Sequence, residues 1–282
     1  MSLAIEAPAK VNLSLRVVGR RDDGYHLLDS LVVFAGVGDS LSFAPADALS
    51  LTVGGPAAGE LPAAADNVVL KAARALADLA GIPPRAAILL TKRLPVASGI
   101  GGGSTDAAAT LLGLSRLWNL DVPLDALGLA LGADLPVCLR RRPTLLSGIG
   151  EALADAPPLP PAWLVLANPR VPLSTPMVFR ARSGAFSKPA PFAAAPADAR
   201  ALAEALAPLG NDLTDAAISL APMVATALTD LAGLPGCLLS RMSGSGATCF
   251  GLFATQDEAN AAAKALSTRR PGWWVAAAPI LS

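Results

Sequence analysis

Histidine and tyrosine occur once each in this 282-residue chain, side by side at Tyr25 and His26, and cysteine occurs three times. A structural zinc site takes about four Cys or His ligands, and with no CxxC pair the chain cannot supply them. GxSxG is also missing, and any Ser-His-Asp triad would have to be built on His26. Cys138, Cys237 and Cys249 are odd in number and sit among apolar neighbours, so buried free thiols in a reducing compartment are expected and a disulfide framework is not. No stretch of 18 residues lacks a charge, whereas a membrane-spanning helix takes ~20 apolar residues. The mean hydropathy of +0.51 therefore reflects alanine. Glu6 and Lys10 interrupt the first apolar run, which does not have the layout of an export signal, and a soluble protein of the cytosol is expected. With 22 Lys+Arg against 22 Asp+Glu the net charge is zero, and the surplus of basic residues that grips nucleic-acid backbones is absent. An anion bound here is expected to be small and locally held.

What is present is 53% hydrophobic, enough for one large domain or two of ordinary size and too much for a disordered chain. Ile5, Val11, Leu13, Leu15 and Val17, then Leu31 and Val33, Leu41 and Phe43, Leu51 and Val53 recur at period two. That spacing predicts strands of a half-exposed antiparallel sheet, with turns at 19–24 and 36–39. Asp66 and Asn67 read as a cap for a helix ending at Gly81, before Pro83 and Pro84. A strand over 86–90, a glycine cluster, a helix over about 105–118 and a short helix over 124–131 follow. APPLPP at 156–161 breaks every periodicity, placing a boundary between domains 1–156 and 157–282. Beyond it come the strand WLVLANP, a long loop over 183–196, helices over 198–206 and 216–231, a glycine-punctuated pair of strands around SRMSGSGATCFGLF, a helix over 257–266 and a last strand over 273–277. This is an α+β pattern.

The segment LPVASGIGGGSTDAAATLLGL, 94–114, carries four glycines at 99, 101, 102 and 103 ahead of a helix. Such a loop can turn its amides inward, and the helix behind it offers free N–H groups to phosphate. No lysine follows as in a Walker loop, and Ser104 stands where GxGxxG has its third glycine. The other reading is a turn capped by Ser104 or Thr105. Asp106, in the first helical turn, suits the dipole but would repel a phosphate unless Mg²⁺ intervenes. PAKVNLSL puts Lys10 and Asn12 on the strand face opposite Val11, Leu13 and Leu15, as a shared polar site or as a plain solvated face. Tyr25 and His26, after Gly24, are two flat rings able to stack on a planar ligand, or a core tyrosine beside a satisfied histidine. Asp134 in LGADLPV is a general base or a helix cap. Gly244 and Gly246 form a tight hairpin or a second backbone donor to phosphate. Arg140, Arg141 and Arg142 read as a solvated charge run.

Taken together, PAKVNLSLRVVGRRDDGYHLLDSL, LPVASGIGGGSTDAA, LGADLPV, RVPLSTPMVF and MSGSGATCF resemble the GHMP kinase superfamily over nearly the whole chain. The resemblance implies a two-domain α+β fold, with a ribosomal-protein S5 domain 2-like N-terminal domain, a ferredoxin-like C-terminal domain and ATP in the cleft between them. It further implies a kinase of non-mevalonate isoprenoid precursor synthesis, which uses ATP with Mg²⁺ to phosphorylate a hydroxyl of a small cytidylyl substrate. By matched position, Asp134 would accept the proton of a tertiary hydroxyl and Lys10 would stabilise charge at the moving phosphoryl group. Asn12 would orient substrate, Tyr25 and His26 would hold the cytosine ring, and Phe179 with Thr175 would complete that pocket. Pro95, Val96, Ala97, Ser98, Gly99, Ile100, Gly101, Gly102, Gly103, Ser104 and Thr105 would form the ATP loop, with Asn67 near the adenine. The chain departs from the pattern at Ala97 and Ser98, where a more glycine-rich pair is usual, and at Thr214 in NDLTDAA, where a glutamate is. Superfamily kinases of homoserine, mevalonate or sugars are the alternative, and they have no need of the GYH ring pair.

Overall fold

In a computed structural model of the protein, residues 3–61 and 67–282 are described. Asp66, read with Asn67 as a cap, lies outside them. Asn67 does cap: its side chain accepts the N–H of Val69 at 2.9 Å at the start of α1 (Val68–Ala80). That helix buries Val69, Leu70, Ala73, Leu76 and Ala77 on one face and closes at Gly81, which is left-handed (φ 64°).

The chain divides into two compact units that are discontinuous in sequence. The first comprises residues up to Ala9, Gly38–Val96 and Gly101–Arg141. Here β3 (Ser50–Gly54) lies parallel to β4 (Ala87–Thr91), Leu51 opposite Ile88, with α1 as the crossover between them. β4 in turn pairs antiparallel with the C-terminal part of β2 (His26–Ala44), Leu90 opposite Leu41. α1 packs on α2 (Gly102–Leu117), and α3 (Leu124–Leu131) and α2 both pack on α4 (Leu135–Arg140). Gly113 of α2 lies so close to the Phe43 ring that a side chain there would collide with it.

The second unit comprises Lys10–Val37, Ala97–Ile100 and Arg142–Ser282. Its sheet runs in the order β10 (Trp274–Leu281), β7 (Trp163–Asn168), β9 (Cys249–Phe253), β8 (Leu239–Met242), antiparallel throughout. α8 (Met223–Ala232) and α9 (Gln256–Arg269) cover it, and Val224, Leu231 and Leu266 join Val165, Cys249 and Phe253 in one core. β1 (Leu3–Arg20) contributes Leu15 and Val17 to that core. A hairpin of β5 (Thr144–Gly148) and β6 (Ala152–Asp155) joins the first half of β2, Leu31 opposite Leu145. α5 (Thr175–Ala181), α6 (Ala199–Leu206) and α7 (Thr214–Leu220) complete it. The proline run at 156–161 falls inside this unit, between β6 and β7.

Several local expectations change. No turn occurs at 36–39, because β2 passes straight through. The glycines there serve close approach: a Cβ on Gly36 would lie 2.9 Å from Pro279 Cδ, and one on Gly38 would enter the Ala7 backbone. The first strands are not half-exposed, since β1 is buried on both faces from Ala7 to Leu15 and Ser30–Ala35 of β2 are buried as well. The helix read over 216–231 is two, α7 and α8, separated where Pro222 has no N–H to give. α2 begins at Gly102, three residues early, from a left-handed Gly101 (φ 66°). Among the described residues no helix is long and apolar enough to cross a membrane.

Candidate functional site

In the second unit, period-two alternation sends Lys10, Asn12 and Ser14 of β1 to one face, and all three are buried. The plain solvated face is therefore the wrong reading of this stretch. Asn12 Nδ2 donates to Ser30 Oγ at 2.8 Å, and Ser30 donates on to the Ser14 carbonyl at 2.5 Å. The Asn12 backbone N–H donates to Ser243 Oγ at 3.1 Å. Its Oδ1 is buried with no hydrogen-bond partner, an acceptor whose desolvation nothing in the described structure offsets.

The β8–β9 turn, residues 243–248, meets the loop segment Ala97–Ile100 within this unit. Thr248 N–H donates to the Ser98 carbonyl at 3.1 Å and Ser243 Oγ to the Gly99 carbonyl at 3.1 Å. Ile100 in turn accepts the Lys10 N–H at 2.9 Å. A Cβ on Gly99 would enter the Gly246 carbonyl, and Gly99, Gly244 and Gly246 all hold positive φ (76°, 56° and 84°). Ala97 is left-handed too (φ 51°) without being glycine. Asn211 Nδ2 ties the hairpin down by donating to the carbonyls of Met242 (2.8 Å) and Gly244 (2.9 Å). Arg241, 7% exposed, donates to the carbonyls of Leu13 (2.7 Å) and Leu206 (3.0 Å), and burial lowers its pKa to about 10.

The His26 ring lies 5.0 Å from that of Phe179 on α5, tilted by 30°. Burial first, then the charges of Arg20 and Arg182, lower the His26 pKa, which favours the neutral ring. Tyr25 points outward, 59% exposed, so the core-tyrosine reading does not apply. Thr175 Oγ1 and Ser245 Oγ lie 2.7 Å apart, linking α5 to the glycine hairpin.

The first unit holds the rest of the predicted set. Asn67 caps α1, and the Val96 N–H donates to Glu60 at 3.1 Å. Gly101, Gly102, Gly103, Ser104 and Thr105 run into α2, with Thr105 Oγ1 turned back to the carbonyls of Gly101 (3.2 Å) and Gly102 (3.1 Å). Asp134 stands at the N-cap position of α4, yet its side chain makes no cap hydrogen bond. The Asp134 cap reading thus loses its physical content. Lys10 belongs to the second unit and Asp134 to the first. Beside α2's first turn, Lys92 Nζ bridges Asp39 (2.5 Å) and Asp106 (2.7 Å). Burial opposes the Lys92 charge, but the two carboxylates outweigh it and raise its pKa. Asp106 is pushed up to about 7, chiefly by burial, against the pull of Lys92.

Ser30, Ser243, Asn211 and Arg241 were not among the residues singled out from sequence. Serines and arginines are common, and only the fold brings these four to the strand and hairpin they support. Of the arginine run, Arg142 pairs with Asp155 at 2.9 Å on the surface, while Arg141 is a left-handed, half-buried residue closing α4 (φ 54°). Cys138 and Cys249 are buried and Cys237 half-buried, and none of the three forms a disulfide; burial raises the thiol pKa of Cys237 and of Cys249.

Comparison with known proteins agrees with this arrangement. The family described as GHMP kinases N terminal domain matches residues 67–140, and GHMP kinases C terminal matches residues 193–271. Fold, glycine loop and hairpin therefore define a GHMP kinase. A 4-diphosphocytidyl-2-C-methyl-D-erythritol kinase of Paramagnetospirillum magneticum is 60% identical over 100% of this chain and 99% of that protein, and one of Rhodospirillum rubrum is 54% identical over 96% and 90%. A solved 4-(cytidine 5'-diphospho)-2C-methyl-D-erythritol kinase superposes with a TM-score of 0.83 at 36% identity, over 99% of this chain and 100% of that one. The chain belongs to the 4-diphosphocytidyl-2-C-methyl-D-erythritol kinase family and is an ATP-dependent phosphotransferase. A homoserine kinase from Cytophaga hutchinsonii, 19% identical with a TM-score of 0.70 over 99% and 95% of the two chains, shares the fold.

Proposed function

We propose that this chain transfers the γ-phosphoryl group of ATP to the 2-hydroxyl of 4-diphosphocytidyl-2-C-methyl-D-erythritol, a step of non-mevalonate isoprenoid precursor synthesis. The observation that carries the choice of substrate is the His26–Phe179 ring pair, an aromatic surface on which a cytosine could stack and that homoserine, mevalonate or a sugar would leave unused. In the reaction the substrate oxygen attacks the γ-phosphorus, the bond to the β-phosphate oxygen breaks and ADP leaves. Asp134 takes the hydroxyl proton, and the buried Lys10 ammonium stabilises charge on the moving phosphoryl group. Asn12 orients the acceptor hydroxyl through the oxygen it keeps unpaired. Tyr25, His26, Phe179 and Thr175 hold the cytidylyl end.

Residues 95–105 cradle the triphosphate, helped by the helix-start amides of α2, with Asn67 beside the adenine. Mg²⁺ would arrive bound to the nucleotide, taking most of its oxygens from phosphate and water. It would neutralise charge between the β- and γ-phosphates. The two family domains at 67–140 and 193–271 fall on either side of residue 156, although the compact units of the fold are discontinuous and are not divided there. Cysteines outside any disulfide suit the cytosol, and zero net charge suits a protein without nucleic-acid partners. A coupled assay of ADP release with the cytidylyl substrate, mevalonate and homoserine tests the proposal. Turnover is expected with the first alone, and equal or faster turnover of either other acceptor would reject it.

A further inference from the structure

Lys92 follows β4 and is 2% exposed, yet the phosphate chemistry above makes no use of it. Its ammonium holds two carboxylates from different elements, Asp39 Oδ2 of β2 and Asp106 Oδ2 of α2. Asp39 is anchored independently, because its Oδ1 accepts the N–H groups of Arg93 (2.5 Å) and Leu94 (2.9 Å). Asp106 has no such second anchor, since its Oδ1 is buried without a hydrogen-bond partner. Gly102, the first residue of α2, lies directly over the ammonium: a Cβ there would stand 3.1 Å from Lys92 Nζ. One buried side chain thus ties the interior of β2 and the residue after β4 to α2, through Asp106 in the second turn of that helix and beneath Gly102, where the glycine loop becomes helix.

By charge alone the cluster is badly placed. Two acids against one ammonium offer no positive charge to attract triphosphate, and whenever Asp106 is ionised the balance beside these amides is negative and, being buried, weakly screened. A geometric role resolves the contradiction. We propose that Lys92 is a positioning residue: anchored through Asp39, it holds Asp106 in the second turn of α2 and so sets how the helix starts at Gly102 above it and where the amides of 101–105 point, without itself touching the nucleotide. The inference rests on reading residues 95–105 as the phosphate loop.

Position and charge predict opposite signs for one substitution. Asp106→Ala removes a negative charge near the anion, which by electrostatics alone tightens ATP; it also releases the helix turn, which loosens ATP. We expect ATP Kd to weaken by about tenfold, the size of one buried charged hydrogen bond, with the Kd of the cytidylyl substrate unchanged, both by calorimetry. Asp106→Asn keeps an oxygen for Lys92 Nζ and should restore ATP Kd to within about threefold of wild type. Unchanged or tighter ATP binding in Asp106→Ala, or equal weakening in Asp106→Asn, would overturn the proposal. If Asp106→Ala does not fold, Asp106→Ser, too short to reach the ammonium, takes its place under the same two outcomes. Amide hydrogen exchange over 101–105 without nucleotide separates this inference from the functional one. Faster exchange in the Ala variant is expected and unchanged exchange rejects the positioning role, whereas failure of the wild type to bind ATP would reject the loop assignment.

Discussion

The rings of His26 and Phe179 face each other across 5.0 Å at a 30° tilt, although 153 positions separate them in the chain. One comes from the start of β2 and the other from the seven-residue α5. A planar base inserted beside them gains contact with rings already held in place. Removing one should therefore cost binding and leave the chemistry intact. Phe179→Leu is expected to weaken the cytidylyl substrate by about 1 to 3 kcal/mol, the range of base–aromatic stacking, with ATP affinity unchanged in a parallel titration. Equal loss for both ligands would show that the ring supports the fold and not the base.

The same pair carries a pH dependence. His26 has its pKa lowered, first by burial and then by Arg20 and Arg182, so the folded protein binds a proton there less readily than the unfolded chain does. Stability from this group is present above the ordinary histidine range near 6.5 and is lost as pH falls through the lower folded value. Substrate affinity should be flat from pH 8 to 7 and fall in acid as the ring charges. Arg182→Gln removes one of these two repulsions and should move that fall to higher pH, measured as substrate Kd against pH. A profile identical to wild type would detach Arg182 from His26.

Gly99 should not accept a side chain. Its φ of 76° is a conformation that a Cβ strains, and the Cβ would enter the Gly246 carbonyl. Gly99→Ala is expected to lose about 1 to 3 kcal/mol of stability and much of its ATP affinity, because relief requires the loop and the hairpin to separate. Thermal melts and ATP titration check both. An alanine variant with wild-type Tm would mean that the loop relaxes freely.

These two sites show how far the sequence can be read. Glycine punctuation at 99–103 and 244–246, the cap at Asn67 and the end of α1 at Gly81 were legible because each depends on local backbone demands. Gly36 and Gly38 misled for the same reason: they resemble a turn, but are small to let Pro279 and Ala7 approach, which only the fold supplies. The division into units was hidden because β1 and β2 are long strands that serve both, so no single cut in sequence follows it. Buried Lys92, 53 residues from Asp39 and 14 from Asp106, reads in sequence as half of an ordinary Lys-Arg pair.

Asp134→Asn should keep both ligands bound and lower kcat by roughly 10²- to 10⁴-fold, the worth of a positioned base. Lys10→Ala should lower kcat more than it raises KM, since its charge matters most as the phosphoryl group moves. Steady-state kinetics with both substrates separate the two effects. A raised KM with intact kcat in Lys10→Ala would make it a ground-state binding residue.

Asn12 offers the most demanding test, because its two side-chain ends predict different outcomes. Nδ2 must be the donor to Ser30 Oγ, since the Ser30 hydroxyl gives its own hydrogen to the Ser14 carbonyl. Asn12→Asp turns that donor into an acceptor and sets a carboxylate against a hydroxyl oxygen whose hydrogen is already committed, inside a strand that is 4% exposed at this residue. Such a buried, mispaired charge should cost several kcal/mol, on the order of 3 to 5, and lower Tm sharply. Asn12→Ala loses the Ser30 bond but also removes the buried, unpartnered Oδ1, whose desolvation works against the fold by about 1 to 3 kcal/mol. Its stability should stay close to wild type while turnover drops, because the oxygen that would receive the substrate hydroxyl is gone. A melting curve and a turnover number for each variant decide the matter. If the alanine variant melted as early as the aspartate variant, the amide would be part of the scaffold; if it turned over normally, Oδ1 would have no part in orienting the acceptor.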